Sequence, residues 1–387
     1  MPSLSSQLLG SAALAAVVAA VVTSALVPFV IRIARMLHAL DHPRGRHHPE
    51  RSVPRLGGLA IVSGLGIALL FVALLLRSSG DFPLPRNELL AMALATFMVF
   101  LVGLVDDITG VSAWDKFVVE VLAAFLVVRV GWTFDVLGLP GGVNLELGLF
   151  GQAASVLWIV GVTNAINLLD GLDGLAGGVV AIIAGSFLAY GMIQGNDLTA
   201  VAMAAIVGAC VGFLRYNWAP ARIYLGDSGS LTLGFLLAIT SVHSSLKAPA
   251  AIAILIPILV LGLPVIDTLL VMGLRFLDRP KGPFGARFQR MFHADRNHLH
   301  HLLLRLGGSR QSVVVWIYGA AAAFCLFALL VAFTRSAAMA TALLVTEFVA
   351  IAAMRGLGLR AGVRQLAASR RLEAQAGRER EPLRRGA

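Results

Sequence analysis

Long apolar runs separated by short polar connections set the layout of this chain. About eleven runs are long enough to cross ~30 Å of hydrocarbon at a helical rise of ~1.5 Å per residue. They centre near residues 20, 66, 96, 123, 160, 184, 207, 238, 262, 323 and 345. The pattern predicts an all-α, polytopic integral membrane protein, with a membrane domain over 1–355 and a basic tail over 356–387. The first run follows Met1-Pro2-Ser3 with no basic leader and is itself followed by Arg32 and Arg35. This predicts a retained span with its N-terminus outside and, after alternation, a cytoplasmic C-terminus.

Composition supports the same class. Hydrophobic residues make up 58% of the chain and charged residues 13%, with a mean hydropathy of +0.84. That is more apolar side chain than the surface of a soluble protein accommodates. Cys210 and Cys325 both fall in apolar runs, so no disulfide framework is expected. The net charge of +10 reads as topology: with the N-terminus outside, 26 of the 31 Lys and Arg face the cytoplasm. The excess positive charge therefore meets the anionic leaflet and anionic substrates, and no nucleic-acid partner is expected. The outer connection 132–152 is expected to hold a short hairpin or a re-entrant piece, and the tail to lie on the leaflet as an amphipathic or disordered segment.

The dense polar clusters share the cytoplasmic side, in the connections 32–55, 106–116, 170–174, 215–228 and 275–311. One of them is N-A-I-N-L-L-D-G-L-D-G-L-A-G-G, Asn164–Gly178. Steps of three residues drift by about 60° on a helix, so Asn164, Asn167, Asp170 and Asp173 cannot share one face. Asn167 and Asp170 are helical neighbours, and Asp173 needs a turn that Gly171 and Gly174 permit. The expected object is a helix end that opens into a loop around a ligand.

Gly103–Gly110 contains the adjacent carboxylates Asp106 and Asp107, with Lys116 shortly after. Adjacent carboxylates repel, so they suit either a bound cation or a solvated helix end. In Arg222–Leu231, Asp227 stands at a helix start, where it serves either as an N-cap or as a cation ligand beside phosphate-binding N–H groups. His293–Gly307 holds His298, His300 and His301 near Arg296. Without Cys partners this favours contacts to phosphate and sugar oxygens over zinc. Arg55, in P-R-L-G-G, is placed to meet a lipid phosphate. Asp267, inside the ninth run, either lines the site or bonds between helices, and the second is favoured.

In this order, P-R-L-G-G (54–58), V-D-D (105–107), N-A-I-N-L-L-D-G-L-D-G-L (164–175), L-G-D-S-G-S-L (225–231) and H-L-H-H (298–301) resemble the polyprenyl-phosphate N-acetylhexosamine-1-phosphate transferases of glycosyltransferase family 4. The match is nearer the WecA-like branch, which loads N-acetylglucosamine-1-phosphate onto undecaprenyl or decaprenyl phosphate. The phospho-N-acetylmuramoyl-pentapeptide branch usually carries Pro-Thr-Met-Gly-Gly and a His triplet in place of the pieces found here. The resemblance implies a multi-pass enzyme of the bacterial cell membrane with a cytoplasmic active site. UDP-sugar and polyprenyl phosphate would be its substrates, Mg2+ its cofactor with Mn2+ as a substitute, and a homodimer one of its states.

By the same resemblance, Asp227 and Asn167 would hold the metal, and Asp106 or Asp107 would orient or deprotonate the lipid phosphate. Asn164, Asp170, Asp173, His298, His300 and His301 would meet the nucleotide-sugar. Lys116, Arg55 and Arg296 would neutralise phosphates.

A transporter is the rival class, since intramembrane carboxylates and broken helices also mark transporters. It should serve both faces, whereas this chain collects its polar groups on one. A non-catalytic scaffold has no use for four such clusters.

Overall fold

The computed structural model describes residues 6–41, 52–79, 85–138, 144–246, 249–277 and 298–385. In chain order the helices are α1 Ser6–Met36, α2 Gly57–Ser79, α3 Arg86–Thr109, α4 Ala113–Arg129, α5 Gly148–Leu169, α6 Leu175–Gln194 and α7 Asp197–Asn217. There follow α8 Gly226–Ser245, α9 Ala250–Ala253, α10 Leu255–Val260, α11 Gly262–Leu277, α12 Leu299–Leu304, α13 Arg310–Thr334 and α14 Ala337–Arg385. Strand β1, Leu40–Asp41, pairs antiparallel with β2, Val53–Pro54. Strands β3, Val136–Gly138, and β4, Asn144–Glu146, form an antiparallel hairpin in the connection where one was expected.

Among the described residues, eight helices are long and apolar enough to cross a membrane: α1, α2, α3, α5, α6, α7, α13 and the first half of α14. The chain is an all-α polytopic membrane protein. The other three apolar runs take other forms. Helix α4 has 17 residues, and α8 has 20 but starts on polar groups. The run near residue 262 is divided into α9, α10 and α11. Pro257 and Pro264 lie in that run, and neither has an N–H to donate to the residue four earlier, so the ladder breaks there.

Helix α8 is the hub. Every residue from Ser228 to Ser245 is buried, and α3, α5 and α2 pack around it. A helix covered on all sides needs no amphipathic stripe, and the sequence of α8 shows none. Helix α1 lies on α7 and α2, α6 on α7, and α13 on α6. The α1–α7 contact is close because Gly208 and Gly212 face the backbone carbonyls of Ala16 and Ala20, where a Cβ would stand 2.0 and 2.4 Å away.

Helix starts follow the local chemistry. Ser112 accepts the Asp115 N–H at 3.2 Å to cap α4, and Asn196 accepts the Thr199 N–H at 3.3 Å to cap α7. Cys210 and Cys325 are buried free thiols. The tail is a continuation of α14, helical through Arg385.

Candidate active site

Three sequence motifs meet at the N-terminus of α8. Gly103 of α3 lies so close to the backbone of Asp227 and Ser228 that a Cβ would approach to 2.7 Å. A Cβ on Gly58 of α2 would likewise collide with the Gly229 amide nitrogen. The close approach at Gly103 carries Asp107 to the start of α8. Its Oδ1 accepts the Asp227 N–H at 2.8 Å, and its Oδ2 accepts the Ser228 N–H at 3.0 Å and the Ser228 hydroxyl at 2.6 Å. Asp107 thus caps, from a neighbouring helix, amide groups that have no intrahelical partner. Arg55 Nε stands 4.0 Å from Asp107 Oδ1.

Asp227 itself faces the other way. Lys116, in the first turn of α4, places its Nζ 2.7 Å from Asp227 Oδ2 and 3.4 Å from Asp106 Oδ1. Asp106 also accepts the Val111 N–H at 2.7 Å, which folds the α3–α4 turn over it. One carboxylate oxygen from each of Asp106, Asp107 and Asp227 lies within 4.8 Å of the others. The donors are hard oxygens of the kind Mg2+ takes, and a cationic ammonium already shares the space, so the set fits a divalent cation.

Asn167 lies half-buried in the last turn of α5, three residues before Asp170, and the Asp170 N–H donates to the Asn167 carbonyl at 3.0 Å where the helix ends. Burial, and then the charges of Asp227, Asp107 and Asp173, push the Asp170 carboxyl up to about 7. Asp170 therefore belongs electrostatically to the same group. Gly174 takes φ +79°, a conformation that suits glycine, and lets the chain turn into α6. Asp173 points to the neighbouring loop, accepting the Ala221 N–H at 3.0 Å. Asn164 is turned away from this loop: its amide donates to Glu120 and, at 3.0 Å, to the Val160 carbonyl.

The His cluster forms the short helix α12. His298 Nδ1 is 3.0 Å from Asp267 Oδ2. His300 is buried with neither ring nitrogen hydrogen-bonded, and its Nε2 faces Gly171, where a Cβ would stand only 2.3 Å away. Burial, with the neighbouring His301 and His298, holds the His300 pKa down to about 3. The His301 ring lies 4.2 Å from that of His300. Arg296 lies outside the described residues. The fold thus brings Asp106, Asp107, Lys116, Asp227 and Asp170 together, with Arg55 at the edge, and sets His300 against the Asp170–Gly174 loop.

Three polar residues at or near the site escape a reading by motif. Glu120 is buried one turn after Lys116 on α4, and its isolation in an apolar run was the available signal. Asn217 closes α7, accepting the Gly174 N–H at 2.9 Å and donating to the Ile223 carbonyl at 2.8 Å. Arg355, legible only as a topology charge, is buried against Asp267.

The model of a family described as glycosyl transferase family 4 matches residues 89–245, which run from α3 through α8. A Bacillus subtilis (strain 168) protein, named as a probable undecaprenyl-phosphate N-acetylglucosaminyl 1-phosphate transferase, is 33% identical over 75% of this chain and 76% of its own length. The chain belongs to glycosyl transferase family 4. Other family relatives include a decaprenyl-phosphate N-acetylglucosaminephosphotransferase of Mycobacterium tuberculosis, 32% identical over 79% of each chain. A phospho-N-acetylmuramoyl-pentapeptide-transferase of Heliobacterium modesticaldum is 31% identical over 74% of this chain and 85% of its own. The matched family region contains the three clustered aspartates, Lys116 and the Asn164–Gly178 stretch, while the His helix and Arg355 lie beyond it.

Proposed function

We propose that this chain is a phosphoglycosyl transferase of the bacterial cell membrane. It moves N-acetylglucosamine-1-phosphate from a UDP-sugar to undecaprenyl or decaprenyl phosphate and releases UMP, the first lipid-linked step of an envelope polysaccharide. The observation that carries the reading is the Lys116 ammonium held between Asp227 and Asp106 at the start of α8. Alternating cationic and anionic groups of this kind suit two phosphate substrates and the metal between them. The names of the relatives point to the same donor and acceptor classes.

In the reaction, an oxygen of the lipid phosphate forms a bond to the β-phosphorus of the UDP-sugar, and the bond from that phosphorus to the bridging oxygen of UMP breaks. Both partners are anions, and bound Mg2+ would supply positive charge to the diphosphate. Asp106, Asp227 and Asn167 are the residues that would hold it, with Asp170 close by. Lys116 offsets charge on the phosphates, and Arg55 and Arg296 do so toward the lipid. Asp173, bonded to the Ala221 N–H, would meet the nucleotide, and the His helix closes against Gly171 on the sugar side. Asn164, bonded to Glu120, supports the same helix end from behind. Asp107 spends both oxygens on capping α8, which favours direct displacement over a covalent intermediate on that carboxylate.

The eleven apolar runs are read as eleven crossings, with α9–α11 as a broken ninth, the N-terminus outside and the C-terminus inside. The Lys and Arg asymmetry supports that orientation and a cytoplasmic site. Transfer of another UDP-N-acetylhexosamine, or of phospho-N-acetylmuramoyl-pentapeptide, is the second reading, favoured by the third relative above. Purified protein with Mg2+, undecaprenyl phosphate and a panel of UDP-sugars should release UMP. Silence with every N-acetylhexosamine donor would refute the proposal.

A further inference from the structure

Asp267 sits in α11, inside an apolar stretch where an ionised group is costly unless it is paired. It is fully engaged. Arg355 of α14 binds its Oδ1, and His298 Nδ1 lies 3.0 Å from its Oδ2. The Leu299 N–H donates to the same carboxylate at 3.1 Å from one oxygen and 3.2 Å from the other. Asp267 and Arg355 are each 3% exposed and His298 is 5% exposed, so water does not replace any of these bonds. The Leu299 N–H belongs to the first turn of α12, where no intrahelical acceptor exists. Asp267 thus caps α12 from outside it. Because a carboxylate only accepts, this contact puts a proton on His298 Nδ1.

Helix α12 has two further close contacts. Gly358 of α14 lies against Leu302, where a Cβ would come within 2.7 Å of the Leu302 carbonyl oxygen. His300 presses on Gly171, in the loop that bears Asp170 and Asp173. A shift of α12 relative to α11 and α14 would therefore move both the His298 ring and the contact between His300 and the loop.

We infer that Asp267, clamped by Arg355, is a positioning residue that seats the His298–His301 turn against the Asp170–Gly174 loop and so sets the grip on the UDP-sugar. The choice of ligand rests on the proposed function; the seating of the turn does not.

Removing one charge alone would leave the other buried and unpaired, which by itself unfolds many proteins. The test therefore uses full-length D267N/R355Q, with R355K as the conservative variant, in detergent. Amide exchange over Leu299–Leu304 should speed up by about tenfold in the double variant while α5 and α8 keep their protection. The KM for UDP-N-acetylglucosamine should rise by about tenfold, with the KM for undecaprenyl phosphate within about twofold of wild type. R355K should stay near wild type in both readouts.

Unchanged exchange over Leu299–Leu304 overturns the inference whatever the activity. Equal losses of protection throughout the protein, or equal changes in both KM values, overturn it in favour of a merely structural link. If the wild type itself releases no UMP, the proposed function fails, and the exchange result alone decides whether Asp267 seats the turn.

Discussion

Lys116 Nζ lies 2.7 Å from Asp227 Oδ2, a contact between residues 111 positions apart in the chain. The same ammonium reaches Asp106, so it both offsets their charge and occupies space that a divalent cation would share. Lys116→Met should lower UMP release by on the order of 100-fold, the scale of losing one preorganised charge at a reacting phosphate. It should also tighten apparent Mg2+ binding, because a competing cation is gone. A Mg2+ titration of thermal stability beside the activity assay checks both, and unaltered turnover would remove Lys116 from the site.

Asp107→Asn keeps the shape but loses a charged acceptor of three hydrogen bonds at the α8 start. Stability should fall by about 2 kcal/mol, the range for bonds to a charged group, with turnover falling alongside. No phosphosugar adduct should accumulate on the variant. Mass spectrometry of the native enzyme decides the point: an adduct on Asp106 or Asp107 would replace direct displacement by a two-step mechanism.

Asn167 stands in the last turn of α5, where a neutral oxygen ligand is available without added negative charge. Asn167→Leu should abolish metal-dependent activity and leave a folded membrane protein with a wild-type elution profile. Full activity in this variant would take the Asn164–Gly178 stretch out of metal binding.

The Asp170 carboxyl, raised from 3.8 to about 7, gives a pH dependence with a definite sign. Between those values the folded protein holds a proton that the unfolded chain releases, so stability falls as pH rises through the window. In EDTA, wild type should melt higher near pH 5 than near pH 8. Asp170→Asn should flatten that slope and be the more stable of the two at pH 8. A slope unchanged by the substitution would assign the pH dependence to another group.

Gly171 faces His300 Nε2 with no room for a methyl group. Gly171→Ala should displace the ring, which is the end of a movable side chain, at small cost in stability. The expected signature is a KM for UDP-sugar raised by about tenfold with little change for the lipid acceptor, as when ground-state binding alone is lost. Equal KM values for wild type and variant would mean that the contact between α12 and the loop does not shape the donor site.

Much of this architecture was legible in the residues alone. Membrane insertion is governed by the local sum of transfer free energies, so apolar run length marked the eight helices of spanning length among the described residues. The polar stretches around Asp106, Asp170, Asp227 and His300 announced themselves because such groups are costly beside a bilayer unless they are used. The partners of those groups were decided by tertiary structure. Only the packing of α3 on α8, through Gly103, makes Asp107 a cap for amides 120 and 121 residues away, and only α14 brings Arg355 to Asp267. A carboxylate's need for a partner is a property of the residue. Which partner meets it depends on which helices touch, and that non-local choice is made by packing.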